Sequence, residues 1–208
     1  MVTTLYLIRH GETEGNNIKR YKGSIDVPLS ERGMKQMEKV ARYLSQNIKL
    51  LENHLSRLGA IYCSDLSRAI KSAEIIAEPY SLNPVIIPEL RERNFGIWEG
   101  MSFDEIKEKY PEEFEAWAVN PLKFSPMKGE STLEVRERVV KVLDEIINHH
   151  NGEHIAIVAH GGVNRIILCH FLGIPLENIF RIEQDFGCLN IIEFCDEYPI
   201  IKFMNYAI

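Results

Sequence analysis

Little in the chain could staple it, anchor it in a bilayer or coat it with positive charge. Its four cysteines, Cys63, Cys169, Cys188 and Cys195, form no CxxC pair and no zinc-like spacing. Set among apolar residues, they predict buried free thiols in a reducing compartment rather than a disulfide or metal framework. No apolar run approaches the roughly 20 residues of a membrane-spanning helix. The start, Met1-Val2-Thr3-Thr4, lacks the basic segment of a secretory leader. Positive charge is not in excess either, since 24 Lys+Arg against 30 Asp+Glu leave a net charge of −6. Nucleic acids and anionic membranes need an extended basic face, so neither is the main partner. An anionic small molecule needs only a local cluster of cations and stays admissible. Repeats and low-complexity tracts are also missing. The default expectation is a cytoplasmic protein whose 208 residues, 45% hydrophobic, can bury one sizeable core.

Strand and helix patterns alternate along the chain. Leu5-Tyr6-Leu7-Ile8 reads as a buried strand, and Ser30 opens a helix to about Ser45 with Met34, Met37, Val40, Ala41 and Leu44 on one face. Ala60 to Cys63 is a second strand, followed by N-cap residue types at Ser64 and Asp65 and a helix over Ala69 to Ala77. Pro84 to Pro88 is a short strand between prolines. A less regular stretch, Arg91 to Met127, holds both tryptophans and a helix-like piece around Ser102 to Lys109. Ser131 and Glu134 have capping-box spacing ahead of a Leu133 to Ile147 helix. Ile155 to Ala159 is another strand, Val163 to Phe171 a helix, and Leu189 to Phe194 and Ile200 to Phe203 close the chain as strands. This alternation implies an α/β fold with a mostly parallel sheet covered on both faces, a three-layer α/β/α sandwich. The simplest organisation is one domain, 1–208, with an inserted lid-like segment at about 91–130.

The first strand runs into Arg9-His10-Gly11 and the later one into His160-Gly161-Gly162. In open α/β sheets, ligands sit beyond the carboxyl ends of the strands, and glycine permits the turn there. A single strand-end histidine is most simply a structural residue; two, on strands far apart in sequence, point to a site. The loops after Ile8, Cys63 and Ala159 should converge and bring together Arg9, His10, Arg68 and His160. Arg68 falls in the first turn of its helix, where free N–H groups and the dipole already favour anions. Two guanidiniums, two imidazoles and a helix N-terminus suit a phosphoryl group, which arginine grips bidentately. No metal site is read, because His10 and His160 lack the carboxylate or thiolate companions that complete one. His54, His149, His150 and His154 lie in polar stretches and are expected to be exposed, without a role.

Arg9-His10-Gly11-Glu12-Thr13, Asn16, Arg68 within Ser64-Asp65-Leu66-Ser67-Arg68-Ala69, Glu92 and His160-Gly161-Gly162 together resemble the histidine phosphatase superfamily over essentially the whole chain. The resemblance implies a phosphoglycerate mutase-like fold and a phosphohistidine intermediate formed on His10, with no cofactor. It implies that Arg9, Arg68, His160 and Asn16 hold the phosphoryl oxygens, with Gly161 beside them. It also implies that Glu92 protonates the leaving oxygen and then takes a proton from water. Partial burial of Glu92 beside Phe95 and Trp98 is expected to favour that role. Arg91 and Arg93 suit ion pairs, Glu99 a helix start, and Glu12 and Glu14 solvent or loop support.

Two departures bear on substrate. Lys22 stands where many such phosphatases carry glutamine, which adds a cation at the pocket mouth or simply points to solvent. The stretch after Glu92 carries aromatics (Phe95, Trp98, Tyr110, Phe114, Trp117, Phe124) rather than the lysine and paired arginines of the mutases. Some of these rings suit core packing, which needs no ligand. The expectation is therefore a metal-independent phosphomonoesterase; the alternatives are a cofactor-dependent phosphoglycerate mutase and, remotely, an idle binding protein on the same fold. The 95–100 run, Gly161 to Arg165, and Leu172 to Leu176 followed by Gln184-Asp185 look similar to α-ribazole phosphatases, which brings in α-ribazole 5'-phosphate as a substrate. Metal-independent phosphoserine phosphatases share much of that pattern. The expected partners are a small phosphorylated metabolite and, at most, a second copy in a homodimer.

Overall fold

The protein is described by a computed structural model, which covers residues 2–16, 20–51, 58–195 and 198–208. Among the described residues six strands form one sheet in the order β3-β2-β4-β1-β5-β6. They are β1 (Val2–Arg9), β2 (Leu58–Cys63), β3 (Val85–Ile86), β4 (His154–Ala159), β5 (Leu189–Cys195) and β6 (Tyr198–Tyr206). The first four run parallel, and β5 and β6 are antiparallel additions at one edge. The helices are α1 (Glu31–Leu51), α2 (Ser67–Ala77), α3 (Phe103–Lys109), α4 (Pro111–Val119), α5 (Thr132–His149) and α6 (Gly161–Leu172).

The period-two alternation of β1 decides the layering. Leu5 and Leu7 point into one core with Val135, Val139, Leu143, Val163 and Ile167, which puts α5 and α6 on that face. Tyr6 and Ile8 point the other way, against Met37, Val40, Leu44, Ala73 and Ile76 of α1 and α2. Both faces of β1 are thus buried, which explains its unbroken apolar run. The result is the expected three-layer α/β/α arrangement, with β1 and β4 at its centre.

Register then brings the two histidine loops together. Arg9 lies opposite Ala159 in the β1–β4 ladder, so His10 and His160 leave adjacent parallel strands at the same level. The backbone N–H of His10 still donates to the Ala159 carbonyl at 3.1 Å. Gly11 then passes so close to Gly33 at the start of α1 that a Cβ at either position would meet the other loop's backbone. That close approach requires glycine at both places.

Several sequence expectations are corrected. α1 continues to Leu51, beyond Ser45. The segment after Arg91 contains a further helix, α4, which buries no residue and so leaves no apolar stripe to read. The rings of the segment pack on one another instead: Phe103 meets Phe114 edge-on with centroids 4.9 Å apart, Phe114 lies tilted against Trp117 at 5.5 Å and Trp98 stacks on Phe124 at 5.3 Å. Cys195 is exposed at the end of β5, whereas Cys63, Cys169 and Cys188 are buried. His150 is buried, contrary to expectation. Its ring is gripped between the Tyr62 hydroxyl at 2.6 Å and the Glu153 carboxylate at 2.8 Å, below the sheet's opposite end. His149 is exposed as expected, His154 is half-buried, and His54 lies outside the described residues.

Candidate active site

Beyond the carboxyl ends of β1 and β4 opens a cavity of about 600 Å³. Arg9, His10, Asn16, Lys22, Arg68, Glu92 and Gly161 all line it. His160 is fully buried and meets the His10 ring edge-on, with centroids 5.0 Å apart. All eight residues singled out from the sequence therefore converge, although they come from five separate stretches of chain.

His10 is set up by its own turn. Its Nδ1 lies 2.7 Å from the Gly11 carbonyl oxygen, which can only accept, so Nδ1 carries the proton and Nε2 keeps its lone pair. Burial, reinforced by the Arg9 and Arg68 guanidiniums and by Lys22, holds the imidazole pKa well below 6.5, against the opposing pull of the Gly11 carbonyl. The ring is thus neutral at ordinary pH, as a nucleophile must be. Phe186 packs on it, with centroids 5.6 Å apart, and also lies 3.8 Å from the Arg9 guanidinium carbon.

His160 caps α6, and its Nε2 lies 2.6 Å from the Ser64 hydroxyl oxygen. That oxygen also accepts the Leu66 N–H at 3.4 Å, and among the described residues the hydroxyl proton has no acceptor other than Nε2, which places the His160 proton on Nδ1. Nδ1 is buried without a partner among the described residues, a donor that a phosphoryl oxygen can satisfy. Burial, then His10, Arg68 and Arg9, hold this ring neutral as well. Ser64 thus serves the histidine; the cap of α2 falls to Leu66, without a side-chain bond.

The cations are placed by neutral acceptors. Arg9 donates to the Gln184 carbonyl at 2.6 Å, and Arg68 to the carbonyls of Ile25 and Gly23 at 2.7 and 2.6 Å. Among the described residues neither guanidinium is ion-paired to a carboxylate, so both keep charge for a ligand. Lys22 likewise donates to Thr13 Oγ1 at 2.7 Å and to the Glu14 carbonyl at 2.6 Å. The first N–H of α2, on Ser67, is taken by Asp26 Oδ1 at 2.9 Å, and Arg68 meets the cavity from the same first turn.

Glu92 is partly buried and lines the same cavity as Phe95 and Trp98. Its two oxygens accept backbone N–H groups, from Arg93 at 3.0 Å and from Gly162 of α6 at 2.9 Å. A Cβ on Gly162 would lie 2.5 Å from the carboxylate, so the second glycine after His160 makes room for this acid. Glu99 does not start a helix; it accepts from Ser24 N, Ser24 Oγ and Phe95 N and ties two loops. Arg91 forms the expected ion pair, with Asp65 at 2.6 Å. Arg93 instead donates to Glu130 O, Thr132 Oγ1 and Phe124 O. Glu12 holds its loop through Ser30 and Arg32. The apolar side of the cavity is formed by Trp98, Phe103, Trp117, Val135, Ile166 and Ile179. Among the described residues no cluster of three or more His, Cys, Asp or Glu is arranged to hold a metal ion, and no helix is long and apolar enough to cross a membrane.

A stability prediction follows from the two neutral histidines. Unfolded, each would protonate near pH 6.5; folded, each resists until well below that, so the unfolded state binds more protons in between. Their contribution is intact above pH 6.5 and is lost as pH falls, at up to about 1.4 kcal/mol per pH unit per histidine. Urea midpoints measured downward from neutral pH are expected to decline in the wild type and more shallowly in His160→Gln. Equal slopes would contradict the buried neutral state of His160.

Comparison with known proteins adds an independent line. A family model described as histidine phosphatase superfamily (branch 1) matches residues 5–207. Phosphoserine phosphatase 1 of Hydrogenobacter thermophilus is 36% identical over 97% of this chain and 91% of its own length. The metal-independent phosphoserine phosphatase of Arabidopsis thaliana is 37% identical over 80% of this chain and 67% of its own. Among solved structures, the alpha-ribazole phosphatase of Shigella flexneri superposes with a TM-score of 0.87 at 27% identity, covering 98% of this chain and 96% of that one.

Proposed function

The chain belongs to the histidine phosphatase superfamily, branch 1, and from that premise we propose that it is a metal-independent phosphomonoesterase acting on a small phosphorylated metabolite through His10. The observation that carries the reading is the His10 ring: neutral, proton fixed on Nδ1 by the Gly11 carbonyl, Nε2 free at the wall of a cationic cavity. In the first half-reaction Nε2 attacks phosphorus, an N–P bond forms and the P–O bond to the leaving group breaks, its oxygen taking the proton of Glu92. In the second, Glu92 takes a proton from water as the water oxygen displaces His10 and releases inorganic phosphate. Arg9, Arg68 and the His160 Nδ1–H meet the equatorial oxygens, where the transferring group's charge gathers. Asn16 and Gly161 line the same wall.

The aromatic side of the cavity favours a flat or apolar leaving group, as an α-ribazole phosphate has. Lys22 supports a second reading: its Nζ has no carboxylate partner among the described residues and suits a leaving group with its own negative charge, as in phosphoserine. The mutase alternative is not favoured, since the relatives above are named as phosphatases and the segment after Glu92 lacks the mutases' basic residues. Release of inorganic phosphate from α-ribazole phosphate, phosphoserine and 3-phosphoglycerate, measured with EDTA present, tests the proposal. Hydrolysis of at least one ester at an undiminished rate is expected. Loss of all turnover on chelation would overturn metal independence, and phosphate transfer within phosphoglycerate without release would restore the mutase.

A further inference from the structure

We infer that Glu130 and Arg138 are positioning residues that hold the acid–base carboxylate of Glu92 in register with His10, an inference that rests on the reaction proposed above. Glu92 stands on irregular backbone between two short 3₁₀ turns, Pro88–Leu90 and Gly96–Trp98. No ladder or helix fixes such a stretch, so its main-chain groups need partners from elsewhere.

The N–H groups of Leu90, Arg91 and Arg93 bond within the stretch and that of Phe95 goes to Glu99, while the main chain at 89, 92 and 94 depends on one ion pair. Arg138, on α5, donates through Nη1 to the Glu89 carbonyl at 2.5 Å and through Nη2 to the Glu92 carbonyl at 3.4 Å. The same guanidinium forks onto Glu130, with Nε to Oε1 at 2.8 Å and Nη2 to Oε2 at 3.0 Å. Glu130 in turn accepts the Asn94 N–H on Oε2 at 2.9 Å, donates its own N–H to the Asn94 carbonyl at 2.8 Å, and receives Arg93 Nε on its carbonyl at 2.7 Å. The main chain at 89, 92 and 94 is therefore gripped on both sides of the acid.

The grip has a rigid base. Val135 and Val139, flanking Arg138 on α5, are buried in the core against the sheet. The pair itself is shielded, its side chains 20% and 28% exposed, so it is less screened than a surface pair. Burial alone would raise the Glu130 carboxyl, yet Arg138 and the Asn94 amide hold it below the ordinary carboxylate range. The fork geometry also demands arginine, since a lysine ammonium cannot reach both carboxylate oxygens and two carbonyls at once.

A purely structural pair would slow every substrate alike when broken. A pair that places a general acid acts selectively, because p-nitrophenolate leaves without a proton whereas an alkoxide does not. The test measures kcat/KM, which reports the phosphorylation half-reaction, for p-nitrophenyl phosphate and β-glycerophosphate in wild type, Glu92→Gln, Glu130→Gln and Arg138→Lys. In both clamp variants the ratio of the first ester to the second is expected to rise about tenfold or more, the same direction as in Glu92→Gln. Arg138→Lys keeps the charge and most of the stem packing, so it answers the question even if Glu130→Gln fails to fold. An unchanged ratio in the clamp variants, with the expected rise in Glu92→Gln, overturns the inference and leaves the proposed reaction standing. An unchanged ratio in Glu92→Gln, or a wild type inert towards both esters, overturns the reaction and the inference with it.

Discussion

His10→Ala is expected to lower phosphate release from every ester by roughly 10⁴-fold or more, the scale on which loss of a covalent nucleophile acts. The expectation follows from geometry rather than from charge. His10 is neutral, so its removal does not weaken the cationic field that attracts the substrate, and Arg9 and Arg68 keep their carbonyl anchors. KM is therefore expected to change far less than kcat. Steady-state phosphate release with substrate varied through KM checks this. A variant that kept turnover while losing affinity would make His10 a binding group and remove the covalent route. Among the described residues His10 makes one side-chain hydrogen bond, to its own neighbour, and its ring packs on His160 and Phe186, so the urea midpoint of the variant is measured alongside to separate folding from chemistry.

Glu92→Gln carries the second large effect. The variant keeps the shape, and its amide oxygen can still accept the Gly162 N–H, but it has no proton to give at the leaving oxygen and none to take from water. Turnover of an alkyl phosphate is expected to fall by about 10² to 10⁴, the range of general acid–base catalysis. With p-nitrophenyl phosphate the first half-reaction is expected to suffer much less. Hydrolysis of the phosphohistidine still needs the base, so a burst of nitrophenol followed by a slow steady state is expected. Stopped-flow absorbance shows whether the burst is there. Equal loss in burst and steady state would mean that Glu92 shapes the pocket rather than moving protons.

The extent to which this was legible in the sequence depends on the range over which each interaction is written. The layered fold was legible because β1 and β4 are continuous apolar runs and the helices carry apolar stripes, signals confined to a few residues. His10 and His160 were legible for the same reason, each ending such a run; the parallel register of Arg9 with Ala159 does the rest. Ser64 was misread as a cap because its residue type fits one, while its true partner lies 96 positions away. Phe186 left no local mark, and neither did Gly162's service to Glu92 across 70 positions. Glu130 and Arg138 are only eight apart, yet what they hold is the stretch from 89 to 94, which no periodicity reveals. α4 escaped because it buries nothing, and His150 because a polar neighbourhood in sequence says nothing about the Tyr62 hydroxyl and Glu153 carboxylate that enclose it.

The claim beneath all of this is that phosphorus is bonded for a moment to a ring nitrogen of His10. Acid-labile, base-stable label should therefore be found on the peptide containing His10 when the enzyme is quenched during turnover of radiolabelled p-nitrophenyl phosphate, and the amount should rise in Glu92→Gln, where only the second half-reaction needs the missing carboxylate. Turnover with no label on that peptide under any quench, or label on a different residue, would contradict the account.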